Sequence, residues 1–175
     1  TMCTYLGASV GLDPADLDLE MVAQAKVLYL EGYLWDSDEA KAAFIAAAEV
    51  ARAHGGEVAL SLSDAFCVER HRESFQELVD GHVDILFANE MEITALYKAN
   101  SFEEAADQVR GRCKLAALTR SEQGSVVLNG AGTHSVAPFQ LGPLLDTTGA
   151  GDLYAAGFLH AYTQGQSVDE CGRLG

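Results

Sequence analysis

"SDEAKAAFIAAAEVARAHGGEVALSLS", residues 37–63, reads as a helix that hands over directly to a strand. Ser37 can cap the helix. Asp38 and Glu39 put negative charge in its first turn, Arg52 and His54 put basic groups in its last, and Gly55-Gly56 stop it. "EVALSLS" (57–63) is then a strand. Upstream, "KVLYLEG" (26–32) is an apolar run ended by Gly32 and reads as a buried strand. Strand, helix and strand in this order make one unit of a parallel sheet.

The rhythm extends both ways. Residues 1–16 carry turn signals at Gly7, Gly11 and Asp13-Pro14, and "DLDLEMVAQA" (16–25) is a short helix. "ERHRESFQELV" (69–79) places Phe75, Leu78 and Val79 on one helical face, and "VDILFA" (83–88) is a third strand. Asn89 opens a short helix. "SFEEAADQV" (101–109) is another, with Ser101 and Glu104 spaced as a capping box. "KLAALT" (114–119) is a strand, and "GSVVLNGAGTHSVAPF" (124–139) is a hairpin around Asn129-Gly130-Ala131-Gly132. A last helix runs from about Gly151 to Tyr162. The expected fold is one α/β domain over residues 1–175, with three αβα layers, a mostly parallel sheet and a β-hairpin near 124–137. Ligands of such sheets bind beyond the carboxyl ends of the strands. Asp64, Asn89 to Glu92, Thr119 to Gly124 and the Gly149 region fall at such places.

The composition is that of a globular chain, 49% apolar and 21% charged. A net charge of −15 argues against nucleic acid as a partner, because phosphate backbones need clustered Lys and Arg. Cys3, Cys67, Cys113 and Cys171 lie far apart without a C-x-x-C pair, and read as reduced thiols of a cytoplasmic protein. No apolar run approaches the roughly 20 residues that span a membrane, and no signal peptide is visible. Thr1 precedes Met2, and the sequence stops at "CGRLG" just after another helical pattern begins. Both ends read as those of a fragment.

"LLDTTGAGDLYAAGFLHAY" (144–162) carries the chemistry. Small residues Thr147 to Gly151 lead into a helix, and bare amides at a helix N-terminus favour a phosphate. The next residue is Asp152, a carboxylate that should repel one. A Walker A loop would need a lysine after its second glycine, and Lys26, Lys41, Lys98 and Lys114 occupy no such place. A dinucleotide fingerprint would need glycine where Tyr154 stands, and no H-E-x-x-H is present to hold zinc. Two readings of Gly-Ala-Gly-Asp remain. In one, Gly149 and Gly151 make a tight turn and Asp152 stabilises the helix dipole. In the other, the amides hold a transferring phosphoryl group while Asp152 takes the proton from an attacking hydroxyl. Asn89-Glu90-Met91-Glu92 divides the same way, between a helix cap and a site where Glu92 and Asn89 organise Mg²⁺ through water. In "LTRSEQGSVVL" (118–128), Thr119 and Ser121 offer hydroxyls to a nucleotide and Gly124 a close turn; an ordinary strand-turn-strand has the same look.

Together these stretches resemble one family. "DTTGAGDLYAAGF" is similar to the second signature of the PfkB, or ribokinase-like, carbohydrate kinases. "FANEMEITAL" resembles that family's N-x-x-E motif, and "LTRSEQGSVVL" its nucleotide-binding T-x-G-x-x-G segment, in the family's order. "TYLGAS", "YLEGYLWD" and "DAFCVERHR" resemble bacterial adenosine kinases and related sugar kinases within it. The resemblance implies a ribokinase-like fold and transfer of the ATP γ-phosphoryl group to a hydroxyl of a nucleoside, adenosine first, or of a sugar or sugar acid. It implies Asp152 as the base and Gly149, Ala150 and Gly151 as the anion hole. Asn89 and Glu92 then serve Mg²⁺, while Thr119, Ser121, Gly124 and Thr148 face the nucleotide. A non-catalytic nucleotide-binding relative is the alternative. Ser121 departs from the family, which usually has glycine there. The family's lid and acceptor half, and the C-terminal segment that completes its nucleotide pocket, have no counterpart in the sequence, so the piece alone is expected to be inactive. A full-length parent with lid strands could form the homodimer seen in parts of the family.

Overall fold

The computed structural model describes residues 5, 7–130, 132–139, 142 and 145–175. Among them, six strands form one sheet in the order β1 (Val27–Glu31), β2 (Glu57–Ser61), β3 (Ile85–Asn89), β4 (Leu115–Thr119), β5 (Ser125–Asn129) and β6 (Gly132–Val136). The first four are parallel, and β5 and β6 add antiparallel, which is the expected hairpin. Cys3, Thr4, Leu6, Ala131 and Leu144 belong to stretches quoted above and lie outside the described residues.

The period of the strands sorts the core into two halves. Val58, Leu60, Leu86, Ala88, Ala116 and Leu118 face one way. They meet α1 (Leu19–Gln24), α2 (Asp38–Ala53), α3 (Ala65–Arg70), α4 (Arg72–His82), α5 (Glu90–Tyr97) and α6 (Phe102–Val109). Ala59, Ile85, Phe87, Leu115, Ala117 and Val127 face the other way, against α7 (Ala150–Thr163) and α8 (Val168–Leu174). Strands laid down in one direction by right-handed crossovers put every connecting helix on one side, so the opposite face needs a helix from later in the chain.

The caps expected at Ser37 and Ser101 form: Ser37 accepts from the Ala40 amide at 3.2 Å, and Ser101 from the Glu104 amide at 3.1 Å. Three expectations change. The helix expected over 69–79 is two helices. Asp64 caps the first by accepting from the Phe66 amide, and the break at His71 is held from outside by Asp36, 2.7 Å from His71 Nε2 and 2.9 Å from Arg70. The Ser101 capping box closes one residue early, since the Glu104 carboxylate accepts from the amide of Asn100 at 2.8 Å. The first strand is not fully buried: β1 is an edge among the described strands, and only Leu30 of its five residues is buried. Cys67 and Cys171 are buried and Cys113 half-buried, all as free thiols. No helix among the described residues is long and apolar enough to cross a membrane.

Candidate active site

Strand register aligns the carboxyl ends of the parallel strands, with Glu31 beside Ser61 and Asn89 beside Thr119. Because β5 runs back and β6 returns, β6 also ends on this edge, at Val136. Helix α7 starts there too. Its Tyr154 hydroxyl donates to Ser125 Oγ at 3.1 Å, and Ser125 lies opposite Thr119. The fold thus gathers Asn89, Glu92, Thr119, Ser121, Gly124 and the first turn of α7, stretches dispersed over 64 residues of sequence, on one rim.

Helix α7 is fixed by its buried side. Tyr154, Phe158 and Tyr162 recur every four residues and stack along the sheet, with the Phe158 ring edge-on to Phe87 at 5.3 Å between centroids. Its N-terminus is open. Gly149 sits in the left-handed region at φ +76, where glycine is favoured, and no side chain caps the helix. The Ala150 amide donates to Thr147 O at 3.0 Å, whereas the Gly149 and Gly151 amides have no partner among the described residues. Of the expected three-residue anion hole, two amides therefore have no partner among the described residues. Thr148 is turned inward on its own loop, its amide and hydroxyl both donating to Asp146 Oδ1 at 2.9 and 2.8 Å. Those bonds hold the Asp146 carboxyl below its usual range. Asp152 is exposed, and its carboxylate has no hydrogen bond or ion pair among the described residues.

Asn89 and Glu92 close on each other. Asn89 Oδ1 accepts from the Glu92 amide at 2.9 Å, while the Glu92 carboxylate accepts from the Asn89 amide at 2.9 Å and from Asn89 Nδ2 at 2.7 Å. The cap anticipated as one reading of N-x-x-E is thus formed in full. Glu92 is only 7% exposed. Burial pushes its carboxyl up to about 6, helped by the charges of Asp64 and Glu31 and opposed by the Asn89 amide.

The Thr119–Gly124 segment turns tightly: the Arg120 amide donates to Gly124 O at 2.8 Å, and the Gly124 amide to Ser121 O at 3.1 Å. Ser121 has φ +51, a left-handed backbone in which glycine is more at ease. The resemblance makes glycine the expected residue there, and this backbone is one that glycine adopts at least cost. Gly124, at φ +83, has no room for a side chain, since a Cβ would lie 2.1 Å from Val136 O.

Besides Gly32 and Asp64, the ends of β1 and β2 bring in Glu31, Tyr33 and Ser63, which sequence reasoning did not single out. Gly32 lets the two strand ends approach, for a Cβ there would lie 2.6 Å from Leu62 O. Ser63, also left-handed at φ +64, donates its hydroxyl to Glu31 Oε2 at 2.5 Å. Tyr33, half exposed beside them, has its hydroxyl pKa raised by burial and then by the charges of Asp64, Glu92, Glu31 and Asp152. These carboxylates therefore share one neighbourhood with Tyr33. The available signal was the acidic or hydroxyl residue at each strand end.

The donors present suit a phosphate at the α7 N-terminus, where two amides have no partner among the described residues and the helix dipole adds positive potential. No group of three or more His, Cys, Asp or Glu side chains that could hold a metal occurs among the described residues. Mg²⁺ keeps several waters and uses one or two carboxylates, so Glu92 fits it only through water.

A family model described as "pfkB family carbohydrate kinase" matches residues 1–175. The chain is 54% identical to the adenosine kinase of Sinorhizobium meliloti, whose crystal structure superposes with a TM-score of 0.94 over 97% of this chain and 52% of that one. It is 49% identical to the "probable sugar kinase protein" of Rhizobium etli CFN 42, with the same TM-score and coverage. It is 36% identical to the cytidine kinase of Thermococcus kodakarensis over 108 residues, 61% of this chain and 38% of that protein. The chain thus spans about half the length of these solved relatives and less of that curated one.

Proposed function

Since the chain belongs to the pfkB family of carbohydrate kinases, we propose that the whole protein moves the γ-phosphoryl group of ATP to a hydroxyl of a nucleoside, adenosine first. The observation that carries this reading is the start of α7, without a side-chain cap and with two amides and a carboxylate that have no partner among the described residues, on the same rim as Asn89 and Thr119. Asp152 takes the proton of the acceptor hydroxyl as its oxygen attacks the γ-phosphorus and the bond to the ADP oxygen breaks. The Gly149 and Gly151 amides, with Ala150 between them, face the charge that develops on the phosphoryl oxygens. Thr119, Ser121, Gly124 and Thr148 line the nucleotide side. Mg²⁺, when bound, neutralises phosphate charge, and Asn89 and Glu92 would hold its waters. The acceptor contacts and lid belong, in this reading, to chain beyond these 175 residues. Free thiols fit a cytoplasmic location.

A sugar acceptor is the second reading, favoured by the nearly equal likeness to the Rhizobium etli protein. Phosphorylation assays of the whole protein across nucleosides and sugars separate the two, and no turnover of any nucleoside removes the first. Asp152→Asn tests the mechanism itself. Loss of the base should lower kcat by about 10²–10⁴-fold with ATP affinity largely kept. ATP binding without transfer by the unaltered protein would instead identify a non-catalytic relative.

A further inference from the structure

Arg120 stands between Thr119 and Ser121, and its side chain reaches Glu90, Phe102 and Glu103. Its Nε and Nη2 each lie 3.2 Å from a carboxylate oxygen of Glu90. Its guanidinium lies over Phe102, 3.9 Å from the ring centroid, and Nη1 is 3.7 Å from Glu103. Phe102 is buried in the first turn of α6, so the platform is rigid. Glu90 is covalently next to Asn89. One side chain therefore ties the Thr119–Gly124 loop to the starts of both α5 and α6. A paired edge and a stacked face leave the guanidinium little with which to bind an anion itself.

The loop needs such a tie. Ser121 is held in a left-handed backbone that is unfavourable for a non-glycine residue and persists only where its surroundings over-determine it. The Arg120 amide bonded to Gly124 O secures the base of the turn, and the Arg120 side chain secures its flank. We propose that Arg120 is a positioning residue of the nucleotide side, fixing the Thr119 and Ser121 hydroxyls in register with the Asn89–Glu92 cap through Glu90. This rests on the kinase reading above. Lysine cannot replace it, since an ammonium lacks both the two-pronged edge and the flat face.

The test compares ATP affinity in the presence of Mg²⁺, by calorimetric titration of the whole protein, with steady-state kinetics. Arg120→Met should weaken ATP binding about tenfold and raise KM for ATP to match, leaving KM for the acceptor unchanged. Arg120→Lys should recover only part of the loss. The control lies at the other end of β4, where Arg112 pairs with Asp80 at 2.7 Å and lies over Tyr97 at 5.5 Å. Arg112→Met removes a similar pair and stacking contact, and should lower the melting temperature without changing ATP affinity. ATP binding by Arg120→Met equal to that of the unaltered protein, or an equal loss in Arg112→Met, overturns the inference and leaves the kinase reading standing. Should Arg120→Met fail to fold, Glu90→Gln probes the same tie from its other end, with weakened ATP binding expected and unchanged binding contrary. An unaltered protein that binds no ATP defeats both proposals.

Discussion

Glu92 turns its carboxylate back on Asn89, accepting from both the backbone amide and Nδ2 of that residue, while Asn89 Oδ1 receives the Glu92 amide. Three bonds between two residues fasten the end of β3 to the start of α5. The same two residues are the ones proposed to serve Mg²⁺. Structure and chemistry are compatible here because each carboxylate oxygen keeps a further lone pair for water.

The cap has a pH signature. Buried Glu92 holds its proton up to about pH 6, against 4.5 for a free glutamate. Between those values the folded chain keeps a proton that the unfolded chain has released, so stability falls as pH rises through that window. The fall attributable to Glu92 is about 2 kcal/mol, from 1.36 kcal/mol per pH unit of displacement. Glu92→Gln should remove this slope, whatever constant offset the lost acceptor adds. Urea unfolding midpoints from pH 4.5 to 7 check it, and an unchanged slope in the variant would contradict the burial argument.

Ser121 gives a prediction of opposite sign. Its left-handed backbone favours glycine, while glycine also frees the unfolded chain, so Ser121→Gly should stabilise by about 0.5–1 kcal/mol net. In a domain of this size that is a rise of about 1–4 °C in Tm. Ser121→Ala, which keeps the Cβ, should show no gain. A fall in Tm for the glycine variant would mean that the serine hydroxyl contributes more than the strain costs.

Phe158 holds α7 in place from beneath. It is fully buried, edge-on to Phe87 and packed between Tyr154 and Tyr162. Phe158→Ala should cost about 3–5 kcal/mol by lost transfer energy and the cavity left behind. Its structural consequence reaches Asp152, six residues away on the same helix. Amide exchange in the first turn of α7 should accelerate more than in α2, which packs on the opposite face. Equal acceleration in both helices would show that the sheet transmits the damage globally.

Much of this fold is legible in the sequence because its signals are local. A cap is a contact between residues three apart, so Ser37, Ser101 and Asn89 announce their helices directly. Strands of apolar residues bounded by glycine or charge announce themselves likewise. The broken helix at His71 was illegible because the group holding the break, Asp36, comes from another element. The same holds for Arg120: nothing in "LTRSEQG" says that its side chain finds Glu90 and lies on Phe102.

By itself, then, the sequence determined the alternation of strand and helix, the caps, and the three motifs that tie the chain to its family. Tertiary structure decided which residues share a rim. That depends on four parallel strands in register, on a hairpin that returns the chain to the same edge, and on an aromatic ladder that seats α7 there. It also sharpened the conflict around Asp152, whose carboxylate, like the Gly149 and Gly151 amides beside it, has no partner among the described residues. Hydrogen bonds within a turn are written in adjacent residues. Proximity between strand ends is written only in the register and packing of the whole sheet.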